Sequence, residues 1–189
     1  MSTTNNVTNV TAGKPKVAGA IFVGPTTASL PTNSTTSLSA DFKLMGYVSE
    51  DGVVNSNSPT VEEIRAWGGD TVLTTSSEKP DTFQHTLIEA LNVDVLKFVY
   101  GAANVTGTLQ TGITIKANNK TQDTWAEVID MVLRGGVTKR IVIPLATVTE
   151  VGDITYSDSD AVGYETTISA APDSAGNTHY EYIAAPATT

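Results

Sequence analysis

The nearest approach to a metal-binding pattern is "SDSDAVG", where Asp158 and Asp160 alternate ahead of a glycine. Alternating carboxylates open a calcium loop, but that loop also needs a later glutamate at fixed spacing, which is absent here. The segment reads as a turn. His85 and His179 are the two histidines. An imidazole acts as ligand or base only where partners meet it at a definite geometry, and the sequence marks none. Each histidine sits in a strand-like pattern and reads as structural. Two of the 20 acids could meet across a cleft, as in a carboxylate hydrolase, yet nothing singles out a pair. With no cysteine, disulfides, thiolate zinc sites and a cysteine nucleophile are excluded. No catalytic residue, metal or cofactor is expected. Arg134, Lys139 and Arg140 flank Gly135-Gly136 and are too few for a nucleic-acid patch. Pairing with acids on a neighbouring strand or subunit is the simpler role.

The elements that would position such residues are mostly strands. The 189 residues suit one domain with a real core. Net charge is −9, which argues against clasping DNA by phosphate neutralisation and against docking on an anionic membrane. No apolar run approaches the roughly 20 residues of a spanning helix. The start "MSTTNNVTNVTAGKPK" lacks the pattern of a secretory signal, so a cytoplasmic origin is expected. Residues 1–15, rich in Thr and Asn, read as a flexible arm, and 184–189 as a loose tail. A single domain is expected over 16–183.

Strand patterns are "KVAGAIFVG", "FKLMGYV", "DTFQHTLIEAL", "ITIKA", "TWAEVIDMVL", "VTKRIVIP", "VGYETTISA" and "THYEYI". Gly135-Gly136 between two of them signals a hairpin. One segment, "NVDVLKFVYG", reads as a helix: Asn92 caps it, Asp94 suits its positive end, and Gly101 ends it. One short helix among many strands, without a βαβ rhythm, predicts a mainly β, antiparallel sandwich or barrel with a flanking helix.

The stretch 50–77 breaks the strand pattern with Gly52, Pro59 and Gly68-Gly69. A loop this long is usually functional. Its expected form is a projecting β-hairpin or flap with Trp67 near one bend. Glu50, Asp51, Glu62, Glu63, Arg65 and Trp67 are its candidate contact residues. The charged ones would fix register, and Trp67 would act as an apolar anchor. An arm and a flap that bury nothing alone are parts of a self-assembling subunit.

"MGYVSEDGV", "AWGGDTV", "DTFQHTLIEALNVDVLKFVYG", "GGVTKRIVIP" and "GNTHYEYI" resemble, as an ordered series, the major tail or tail tube proteins of long-tailed bacteriophages with non-contractile tails. The resemblance runs from about Lys14 to Ile183. It implies a β-sandwich with one flanking helix, hexameric rings stacked into a tube, and DNA leaving the virion through that tube. It also implies the other partners: a tape measure protein inside the tube, and tail terminator and distal tail proteins at its ends. Some family members carry a further immunoglobulin-like domain, and no such domain or surface-decoration role is expected here. Within such a tube, Glu150, Asp153, Asp158, Asp160 and Glu165 are candidate lumen acids, since this stretch holds no Lys or Arg and an acidic bore resists phosphate adhesion. Glu50–Ser77 would then join one ring to the next. The competing function class is a secreted or surface β-sandwich binding module, lectin- or adhesin-like. The absent signal weighs against it.

Overall fold

Runs of Val, Ile and Thr broken at glycine- and proline-bearing turns favour short strands, and the described residues form thirteen of them. The structure is a computed structural model and describes residues 4–17 and 19–186. In chain order the strands are β1 (Lys14–Pro15), β2 (Ile21–Pro25), β3 (Lys43–Leu44), β4 (Val48–Asn57), β5 (Thr60–Arg65), β6 (Thr71–Glu78) and β7 (Asp81–Leu87). Helix α1 (Val93–Tyr100) and the pair β8 (Val105–Thr106) and β9 (Thr114–Ile115) follow. The rest is β10 (Thr124–Val132), β11 (Thr138–Val151), β12 (Tyr164–Ala171) and β13 (Tyr180–Ala184).

The main sheet runs β3-β2-β10-β11-β12-β7-β4, antiparallel throughout, with β1 beside β10 and β13 beside β11. Its backbone is the β10–β11 hairpin. Gly135 and Gly136 turn it at φ of 73° and 79°, values that glycine reaches without steric cost. β11 continues through Pro144, where the sequence suggests a break. The register jumps from Glu127↔Ile143 to Trp125↔Ala146, so Pro144 sits in a bulge that asks no ladder bond of it.

The sheet curls on itself. His85 on β7 bonds Glu127 on β10 at 3.0 Å, although β12 and β11 lie between those strands in the ladder. The end strands β3 and β4 do not pair, so there is no closed barrel. The mainly β, antiparallel sandwich with one helix is the architecture that the sequence predicts. α1 fills the fold with Val95, Leu96, Phe98 and Val99 against Ile21, Phe83, Leu87, Ile129, Ile143 and Ile168. Asn92 accepts from the Asp94 backbone N–H at 3.0 Å, and Gly101 closes the helix, both as expected. A smaller cluster on the other face packs Ala28 and Phe42 on Ala126, Val128 and Val142.

Two boundaries differ from expectation. The strand expected over 81–91 ends at Leu87, because Ile88 and Glu89 turn to bond the backbone at Tyr47. The projecting segment is shorter than 50–77: β4 pairs with β7 as far as Asn57↔Asp81, so residues 50–57 belong to the main sheet. Residues 1–3 of the expected arm and 187–189 of the expected tail lie outside the described residues.

Candidate functional site

β5 and β6 carry Val61, Ile64, Val72 and Leu73 among polar residues on either side of a Gly-Gly turn, and among the described residues they pair only with each other. Their hairpin leaves the sandwich between Asn57 and Asp81. At its tip the Ala66 N–H bonds the Asp70 carbonyl at 2.8 Å, and the Ala66 carbonyl accepts from Gly68 and Gly69. Gly69 takes φ of 95°, where a side chain would strain the backbone. Every residue from Ser58 to Thr74 is exposed. Trp67 is 106% exposed, so it packs on nothing of its own chain. Ile64 and Leu73 face each other across the ladder and are about half exposed, at 51% and 52%.

Glu62, Glu63, Arg65 and Trp67 thus share one hairpin. Arg65 donates to Glu63 at 2.9 Å, and the Thr71 hydroxyl donates to the same carboxylate at 3.3 Å. Glu50 and Asp51 stand apart from them, beside Gly52 in the irregular part of β4. The hairpin presents aliphatic and aromatic surface beside a paired charge, with nothing shaped for catalysis.

At the hairpin root, Asp81 is a buried node. Its carboxylate accepts from Asn55 at 2.8 Å, from the Thr178 hydroxyl, and pairs with His179 Nδ1 at 2.5 Å. Burial pushes the Asp81 carboxyl up, but these donors, with the His179 charge, outweigh it and hold the group below its ordinary value. The node ties β4, β7 and the approach to β13 together. His85 is likewise structural: it bonds Glu127 on one side and Thr166 at 3.1 Å on the other. Arg140 is buried and bidentate on Asp130, at 2.6 and 2.7 Å, and also donates to the carbonyls of Asn33 and Thr36. Lys139 pairs with Glu181 at 2.8 Å on the neighbouring β13. The Arg134 N–H bonds Thr11 at 2.7 Å and its guanidinium bonds the Val7 carbonyl, which seats the exposed arm on its own Gly-Gly turn.

The five candidate lumen acids are all exposed. Glu150 lies next to the last residue of β11 and Glu165 lies on β12, where Gln84 donates to it. Asp153, Asp158 and Asp160 lie on the connection between those strands. Asp160 accepts from Ser157 at 2.9 Å and Ser159 at 3.0 Å, which makes the "SDSD" segment a hydroxyl-tied turn. No group of three or more potential metal ligands occurs among the described residues.

Sequence reasoning missed one feature. On the open side of the sheet, Ser56, Thr82, Ser169, Thr147 and Thr124 stand in register on β4, β7, β12, β11 and β10. Each is an ordinary outward residue of its own strand, and only the pairing register aligns them. Compared with known proteins, the chain matches the family described as "Phage tail tube protein" over residues 2–188. No curated protein matches it.

Proposed function

Since this chain belongs to the phage tail tube protein family, a structural component of the bacteriophage virion tail, we propose that six copies close into a ring and that rings stack into the conduit for DNA ejection. The observation that carries the stacking step is the β5–β6 hairpin, which exposes Trp67 fully and leaves about half of Ile64 and Leu73 open. Large apolar surface left open in this way usually marks an interaction site.

In this reading β4 and β3, the unpaired ends of the sheet, supply the ring contacts, because free edges invite pairing and closure removes them. The hairpin reaches the next ring, with Trp67 as anchor and the Glu63–Arg65 pair setting register. Glu50 and Asp51, on the β4 edge, act at the ring contact and not at the hairpin tip. The acids Glu150, Asp153, Asp158, Asp160 and Glu165 keep the bore side free of phosphate adhesion. A tape measure protein occupies the bore during assembly, and terminator and distal tail proteins close the ends. Sedimentation over a wide concentration range tests the reading. Rings and longer polymers are expected as concentration rises, and a strictly monomeric species at every concentration would reject it.

A further inference from the structure

The open half of the main sheet has an unusual chemistry. Its central row is Ser56, Thr82, Ser169, Thr147 and Thr124, one hydroxyl per strand across five adjacent strands. Strands stand about 4.8 Å apart, so the row spans about 19 Å. Thr124 and Thr147 share a hydrogen bond at 3.0 Å, which confirms that they lie on one side. Below the row come Val54, Gln84, Thr167 and Glu150, in register, with Thr149 bonded to the Thr167 carbonyl at 3.1 Å, so one exposed aliphatic side chain interrupts an otherwise polar surface. Glu150 and Glu165 are the acids of this face.

The other side of these strands is closed by Phe83, Leu87, Ile168 and Val148 packed against α1. The remainder of the open side, over β10 and β11, is covered by Ala28 and Phe42 and by the Asn33 and Thr36 carbonyls on Arg140. Only the hydroxyl half is bare. It also lacks cations: β4, β7, β12 and the segment 145–151 contain no Lys or Arg, although the chain has 11.

We propose that this hydroxyl face is the wall along which double-stranded DNA passes, with non-adhesion resting on the absence of cations over a hydrated surface and only secondarily on its acids. DNA adhesion comes chiefly from Lys and Arg displacing counterions at phosphates, and this face has nothing that does so. Hydroxyls and a side-chain amide hold water instead, and the side chains of the row are short. The inference rests on the tube reading above and adds which surface of the subunit meets the DNA.

Because the chain has no cysteine, Thr167→Cys or Ser169→Cys introduces a single thiol for labelling. Free subunits and assembled tubes are each treated with a small maleimide and with a maleimide carried on a folded protein too wide to enter the bore. Both reagents should label the free subunit. In tubes the small reagent should still label and the wide one should lose all labelling. Labelling of tubes by both reagents puts the face on the outer wall and overturns the proposal. Labelling by neither buries the face between subunits and overturns it as well. If these variants fail to assemble, Thr149→Cys probes the same face. Failure of the unaltered chain to polymerise would be a different result, against the tube reading itself. As a second readout, tubes carrying Thr147→Lys with Thr167→Lys should retain a labelled duplex and release it in salt, whereas unaltered tubes should retain none.

Discussion

Trp67 and Asp130 mark opposite uses of a single residue. Trp67 stands free at the hairpin tip, so its value lies in what another copy supplies. Replacing it by alanine should change folding stability by less than about 0.5 kcal/mol, as for an ordinary surface site, while an interface anchor of this type is worth about 2 kcal/mol or more. Thermal unfolding and polymer yield, measured together, separate the two. A destabilised subunit that still assembles normally would count against the anchor role. Asp130 is buried against Arg140, and Asp130→Ala leaves an uncompensated guanidinium that should cost about 3–5 kcal/mol, read in denaturant unfolding. Asp81 adds a pH dependence. Its folded pKa lies below the unfolded value, so its contribution is full above about 3.8 and fades as pH falls through the lower folded value. Asp81→Asn should remove that acid-side slope from the curve of stability against pH, and an unchanged slope would show that the node carries none of it.

At the level of elements, legibility follows how local the signal is. α1 is fully readable because its cap, its apolar face and its terminating glycine all lie within ten residues. The β5–β6 hairpin is readable in kind, since two strand-like runs flank Gly68-Gly69, but its root is not. Where it leaves the sheet depends on how far β4 pairs with β7, and that is a long-range matter. The same limit hides the inward charges Glu127, Asp130 and Arg140, whose partners are set by strand register and by the curl of the sheet. The hydroxyl row is the extreme case, being a property of five strands and of none alone. The arm is a testable element. Its described residues 4–15 are exposed and touch the hairpin turn through Thr11, Val7 and the short β1 pairing. Amide exchange there should be fast in the free subunit and slow in the tube, and equal fast exchange in both states would remove the arm from assembly.

For the whole molecule, the features left unsatisfied point outward. Among the described residues the end strands β3 and β4, like the short β1 and β13, have a single partner each, the β5–β6 hairpin is uncovered, and one sheet face is bare, largely polar and free of cations, in a chain of net charge −9. Together with membership of the phage tail tube protein family, these describe a subunit completed by copies of itself. The interior needs no such completion: its cluster closes on α1, and the buried Arg140 is paired with Asp130 within the chain. Assembly should therefore proceed from an already folded subunit, with the contacts made at edges and at the hairpin. The most direct measurement is electron microscopy of the purified chain at a concentration where sedimentation detects polymer. The account predicts hollow tubes of stacked six-membered rings with β5–β6 density crossing between rings, whereas particles that remain single subunits, or polymers without a bore, would contradict it.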